Sequence, residues 1–189
     1  MLAAAVFALA GCSDKPGFVN TDITGASYAK GFTLTDPEGK SRSLADFRGK
    51  VVTVFFGFTQ CPDVCPTTLA EMKAVLDALG PARKDVQVIF VSVDPERDTP
   101  ALLKEYVGAF DPGFLGLTGT PEQVAAVAKE FKVFYEKVPG KTDPSKYTVN
   151  HTAGTYVFDK QGRIRLFVSH GRGPENLVGD LKRLLAEAG

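Results

Sequence analysis

Two cysteines stand four positions apart in the stretch Cys61-Pro62-Asp63-Val64-Cys65. Thiols at that spacing admit two chemistries. They can close a disulfide and open it again in redox exchange. As thiolates they can instead converge on one soft metal ion, copper(I), zinc or an iron–sulfur cluster. A cluster or a closed zinc site needs about four protein ligands, and Cys12 is the only other cysteine. Two thiolates and one imidazole would suit a three-coordinate copper site. Peroxide chemistry at Cys65 would want the arrangement Pro-x-x-x-Thr-x-x-Cys, but Phe58 and Pro62 occupy the Pro and Thr positions. A buried structural disulfide is the plainest alternative, although so short a ring adds little through loop closure.

The chain has two histidines. His151 lies in "YTVNHTAGTYVF", between two strand-like runs and after a turn-rich loop (139–146) that can fold over a site. His170, in "SHGRGP", reads as a surface residue entering the last helix. His151 is therefore the candidate imidazole. Met72 falls on an apolar helical spacing and reads as core. Asp63, inside the cysteine loop, is given no ligand role. Asp94 and Asp98 in "DPERDTP" could shape the field around the site or meet a partner. The simpler reading is that Asp98-Thr99-Pro100 caps a helix.

The elements that must position these residues can be read on either side. "KVVTVFFGF" is a continuous apolar run that fits a strand buried on both faces, and it ends just before Cys61. After it, apolar residues at 69, 72, 75, 76 and 79 mark a helix, stopped by Gly80-Pro81. Taking Pro66 as the first helical position puts Cys65 near the N-cap, where free amides and the helix dipole favour a thiolate. The C-terminal end of a central strand is also where α/β folds build their sites. Both thiols are accordingly expected to be activated and reachable.

"VQVIFVSVD" repeats the buried-strand pattern. "TPALLKEYVGAF" and "TPEQVAAVAKEF" read as helices capped by Thr99 and Thr120, each with proline at the first position. "VFYEKV" and "YTVNHTAGTYVFD" read as strands. "KQGRIRLFVSH" completes a hairpin through Gln161-Gly162. "GPENLVGDLKRLLAEAG" is an amphipathic terminal helix with leucines at 177, 181, 184 and 185. An earlier hairpin turns at Asp36-Pro37-Glu38-Gly39. Strands alternating with helices, with a hairpin near each end, predict an α/β layered fold.

Twenty-two basic and 22 acidic residues cancel, so nothing points to nucleic acid or an anionic membrane surface. Fourteen Phe and no Trp predict a Phe-rich core. No apolar run reaches the roughly 20 residues that span a bilayer. "MLAAAVFALAGC" reads as a secretory signal, and its ending, Leu9-Ala10-Gly11-Cys12, resembles the bacterial lipobox, although no Lys or Arg precedes the apolar run. Residues 1–12 are then the signal ending at a lipidated Cys12, residues 13–17 a short spacer and residues 18–189 one domain. Lipid on Cys12 would tether the protein to a bacterial membrane. The domain would face the periplasm or extracytoplasmic space, and the other two thiols an oxidising compartment.

Together "CPDVCPTTL", "VSVDPERDTP", "FLGLTGTPEQV", "YTVNHT" and "FVNTDITGASY" resemble the Sco (SenC) family, from about Phe18 to the C-terminus. The resemblance implies a thioredoxin-like fold, with a central mixed sheet flanked by helices and an N-terminal hairpin. It implies a membrane-anchored copper-binding protein that helps assemble the dinuclear copper centre of cytochrome c oxidase, with Cys61, Cys65 and His151 matching the copper ligands. Its partners would be the copper-receiving subunit of the oxidase and other copper chaperones. Asn150 departs from the Asp that often precedes the histidine. Family members are often held by a transmembrane helix, where this chain looks lipidated. The resemblance favours a carrier over an enzyme. The alternative is a thiol–disulfide oxidoreductase acting on the cysteines of the copper-receiving subunit. The longer spacing, and His151-Thr152 where a catalyst would place a proline, count against general disulfide catalysis.

Overall fold

The computed structural model describes residues 17–140, 143 and 146–188. The expected signal and the lipidation site at Cys12 lie outside the described residues, as does most of the loop at 141–145.

Six strands form the main sheet: β1 (Thr21–Asp22), β4 (Val51–Gly57), β5 (Val86–Ser92), β6 (Leu115–Leu117), β9 (Gly154–Phe158) and β10 (Ile164–Ser169). Their spatial order is β1-β10-β9-β4-β5-β6. β4, β5 and β6 run parallel, whereas β9 is antiparallel to β4 and β10 to β9. All seven residues of β4 are buried, and all but one of β5. That is the environment an unbroken apolar run requires, because both faces of these strands are covered.

Two hairpins stand apart from this sheet. β2 (Thr33–Thr35) pairs with β3 (Ser41–Ser43) across the turn at Asp36–Lys40. β7 (Tyr135–Pro139) pairs with β8 (Tyr147–His151). The central mixed sheet and the N-terminal hairpin agree with the expected thioredoxin-like architecture.

Helix α1 (Val64–Leu79) follows β4 directly and buries Leu69, Met72, Val75, Leu76 and Leu79, the predicted stripe. α2 (Pro100–Gly108) and α3 (Pro121–Glu130) begin as the sequence requires. Thr99 and Thr120 accept from the amides of Leu102 and Gln123, and Gln123 closes a capping box. α4 (Pro174–Ala186) buries Leu177, Leu181 and Leu184 and packs on α1. Its buried Asp180 accepts from the amides of Val19 and Asn20, fastening the N-terminal segment.

The core is rich in phenylalanine. Phe55, Phe56, Phe58, Phe90, Phe131 and Phe158 are among its largest fully buried side chains. Phe56, Phe131 and Tyr156 meet at ring separations of 5.1 to 6.2 Å, and the Tyr156 hydroxyl donates to the Phe131 carbonyl. Burial pushes the Tyr156 phenol up to about 12.

The helix that carries Cys65 begins earlier than the sequence predicts. α1 starts at Val64, with Asp63 as N-cap, two residues before Pro66. Proline is tolerated anywhere in the first turn, since the amide it lacks has no intrahelical partner there. Pro66 therefore did not mark the helix start, and Cys65 lies inside the first turn rather than at the cap.

Candidate metal centre

β4 delivers the chain to the cysteines. Beyond Gly57 the backbone turns, and the Cys61 amide donates to the Phe58 carbonyl at 3.2 Å. Asp98 braces this turn. Its carboxylate accepts from the Thr59 amide at 3.1 Å, the Thr59 hydroxyl at 2.7 Å and the Ser92 hydroxyl at 2.6 Å. Asp98 is buried, and that desolvation pushes its carboxyl above the ordinary value despite these donors. Thr99 makes the helix cap through its own hydroxyl, which leaves the Asp98 carboxylate for the loop. The expectation that this segment only caps a helix was too narrow.

The Asp63 side chain makes no cap bond to the helix amides. Instead the Cys65 amide, one of the free donors at the helix start, points at Cys61 Sγ across 3.4 Å. So the sulfur that meets the helix N-terminus belongs to Cys61. Cys61 is half-buried, whereas Cys65 is fully buried. Burial is the largest influence on the Cys65 thiol and pushes it well up, with Cys61 adding to the rise. The expectation that both thiols are activated and reachable thus fails for Cys65. Its place in the first turn, beneath the end of β4, takes it out of water. The space above Gly57 is so tight that a Cβ there would lie 2.7 Å from Cys65 Sγ.

β8 brings the imidazole. Its alternating pattern turns Tyr147, Val149 and His151 away from solvent and leaves Thr148 and Asn150 exposed. His151 Nε2 lies 3.5 Å from Cys65 Sγ, although 86 positions separate the residues. His151 Nδ1 lies 3.1 Å from the Thr152 carbonyl, which can only accept, so the proton sits on Nδ1. Nε2 is then left with a lone pair facing the sulfur. Burial lowers the imidazole pKa and keeps it neutral. Phe55 and Phe58 meet the ring edge-on at 6.1 and 5.9 Å and fix its plane.

One ligand atom from each of Cys61, Cys65 and His151 falls within 4.8 Å of the other two, and both cysteines are free thiols. Among the described residues this is the one Cys/His cluster of that kind. The donor set is two soft sulfurs and a borderline nitrogen whose tautomer is set by a backbone carbonyl, which is how protein imidazoles are prepared for a metal. An opening of about 200 Å³ leads to it past Pro62, Asp63 and Asn150. A larger cavity, near 610 Å³, lies at the other end of the parallel strands, where Arg42 and Lys104 are already paired with Asp36 and Glu38.

Met72 is core. His170 is exposed, its Nδ1 meets the Thr68 hydroxyl at 3.2 Å, and it is not part of the cluster. Asp63 and Asn150 are exposed at the rim. Sequence reasoning missed Arg97 and Tyr147, which tie the β7–β8 hairpin to the cysteine turn. "DPERDTP" drew attention to its acids alone, and Tyr147 carried no signal.

The SCO1/SenC family model matches residues 20–186. A SCO2-like protein of Rickettsia felis is 36% identical over 171 residues, covering 89% of this chain and 83% of its own. The structure of Bradyrhizobium japonicum ScoI with copper bound is 46% identical, covers 82% of this chain and 98% of its own, and superposes with a TM-score of 0.74. The solution structure of apo Sco1 from Thermus thermophilus is 45% identical, covers 91% and 99%, and has a TM-score of 0.80.

Proposed function

The chain belongs to the SCO1/SenC family, and on that premise we propose that it is a copper metallochaperone. It holds one copper ion on Cys61, Cys65 and His151. It delivers that ion to the dinuclear copper centre of cytochrome c oxidase, or prepares the receiving thiols there. The observation that carries the reading is the convergence of two free thiols and a neutral imidazole within 4.8 Å. A three-donor set of this softness suits copper, and among the described residues no fourth Cys, His, Asp or Glu joins the cluster to close a tetrahedral zinc site. A thiol–disulfide oxidoreductase would place its attacking sulfur in water and keep it a thiolate. Only Cys61, the half-buried sulfur, could serve as that attacker, since Cys65 is buried; no proline faces the pair where a general catalyst would place one, because His151-Thr152 stands there. The two sulfurs remain near enough that oxidation to a disulfide would withdraw two ligands at once, so the redox state of the pair governs loading.

We place this domain at residues 18–189, after a signal (1–12) and a spacer (13–17), and read Cys12 as its lipid anchor in a bacterial membrane. What supports this is the Leu9-Ala10-Gly11-Cys12 ending. No helix among the described residues is long and apolar enough to cross a membrane.

The test is titration of the reduced protein with copper(I) and copper(II), beside His151→Ala. One ion per chain is expected, with affinity reduced more than about tenfold in the variant, since losing a ligand costs at least as much as losing the group that orients it. Equal affinity of His151→Ala and wild type would overturn the assignment.

A further inference from the structure

His151 is carried by a hairpin outside the main sheet, and a two-stranded ribbon has little stability of its own. Something else must hold it against the cysteines. The guanidinium of Arg97 occupies that junction. Its Nη1 donates to the Tyr147 carbonyl on β8 at 2.8 Å and to Gln60 Oε1, beside Cys61, at 3.0 Å. Its Nε donates to the Asp94 carboxylate. Its plane lies over the Tyr147 ring at 3.7 Å and within 5.7 Å of the Phe58 ring, which also touches His151. The Tyr147 hydroxyl donates to the other Asp94 oxygen at 2.8 Å. Asp94 is fully buried. One side chain therefore joins the turn after β5, the cysteine turn and the strand of the histidine.

We propose that Arg97 is the positioning residue for His151. With Asp94 and Tyr147 it clamps the β7–β8 hairpin over the cysteine turn, and so sets the fraction of molecules whose imidazole stands within reach of Cys65. The inference rests on the reading that His151 is a copper ligand, but its first consequence is visible without metal. Tyr147 and His151 lie four residues apart on one face of one strand, so a constraint at the first is transmitted to the second through the β-ladder. Lysine cannot replace this residue, because an ammonium lacks the planar fork that serves three acceptors while stacking on a ring.

The test compares wild type, Arg97→Ala, Arg97→Lys and the double variant D94N/R97Q, which removes both charges and so leaves no buried carboxylate stranded. In reduced, copper-free protein, amide hydrogen exchange in β7 and β8 should rise about tenfold or more in Arg97→Ala and in the double variant. It should stay near wild type in β5 and β9. With copper(II), the histidine nitrogen coupling in the electron paramagnetic resonance spectrum should weaken toward that of His151→Ala. Apparent affinity should fall about ten- to a hundredfold, as the competent fraction falls, with Arg97→Lys between the extremes. Unchanged exchange in the hairpin, or an equal rise throughout the main sheet, would overturn the clamp. A wild-type spectrum indistinguishable from that of His151→Ala would instead overturn the ligand assignment, and hairpin exchange would still judge the clamp.

Discussion

The glycine at the end of β4 should be irreplaceable for a reason that involves the site itself. An alanine Cβ at position 57 would sit 2.7 Å from Cys65 Sγ, 2.8 Å from Phe90 Cε2 and 3.1 Å from Phe55 Cε1. Unstrained carbon contacts lie at about 3.5–4.0 Å, so the sulfur or the strand must give by roughly 1 Å. The strand has little freedom: Gly57 is registered against Ser92, and its carbonyl accepts from the Val93 amide at 2.8 Å. Phe90 is hemmed in by the rings of Phe55 and Tyr106, 6.0 and 5.6 Å away.

Overpacking of this kind costs about 1–3 kcal/mol, and Gly57→Ala should fall in the upper half of that range. Part of the cost belongs to the sulfur alone. In a Cys65→Ala background the closest contact is gone and the Phe90 contact remains, so the same substitution should cost about 1 kcal/mol less. Four proteins, reduced and free of copper, unfolded in urea and compared as a double-mutant cycle, would measure that difference. Independent sites add to within roughly 0.3–0.5 kcal/mol. A cycle closing within that margin would show that Gly57 does not shape the cysteine pocket.

Asp98→Ala should cost about 2–4 kcal/mol, because it strips the acceptor from the Thr59 amide, the Thr59 hydroxyl and the buried Ser92 hydroxyl together. Asp98→Asn should cost less than half as much, and equal losses in thermal unfolding would refute the bracing role. The Cys65 thiol gives a pH dependence. Its pKa is raised by burial in the fold, while an unfolded thiol ionises near about 8.5. Above that pH the unfolded chain binds fewer protons than the folded one, so stability falls as pH rises toward the folded pKa, with a limiting slope of about 1.4 kcal/mol per pH unit. Reduced, copper-free wild type should show this extra slope against Cys65→Ala in denaturant titrations between about pH 8.5 and 10.5. Parallel curves would contradict the buried thiol.

How much of this was legible beforehand follows from the range of the interactions. β4 and β5 could be read because burial on both faces leaves an unbroken apolar run in the sequence. The starts of α2 and α3 could be read because a cap is made within four residues. The start of α1 was misread because proline satisfies any position of a first turn, and only the fold chooses among them. The depth of Cys65 depends on what covers that turn, which no local pattern records. His151 could be singled out as a residue type. Its approach to Cys65 depends on a hairpin whose anchor, Arg97 to Tyr147, spans 50 positions. Asp98 was noticed, yet its carboxylate serves a turn 39 positions earlier, and the nearby capping role concealed that.

The two halves of the site differ in how they are held. Cys61 and Cys65 lie on a continuous strand, turn and helix, with β4 fixed between β5 and β9 in the main sheet. Moving them means disturbing the core. His151 stands on a ribbon secured by the Arg97 contacts, by the exchange of hydrogen bonds between Phe134 and Thr152 at 2.9 and 3.0 Å, and by two ring edges. Those can be released without breaking any bond of the six-stranded sheet, so opening the histidine side costs less than global unfolding. On the proposed reading as a copper carrier, that asymmetry would serve delivery. If the histidine half moved first, an incoming thiol would meet a copper ion still held by two sulfurs, and ligands could be exchanged one at a time. Had His151 been placed on β9, within the sheet, the same three donors would bind as tightly but would yield their cargo only as fast as the core could open.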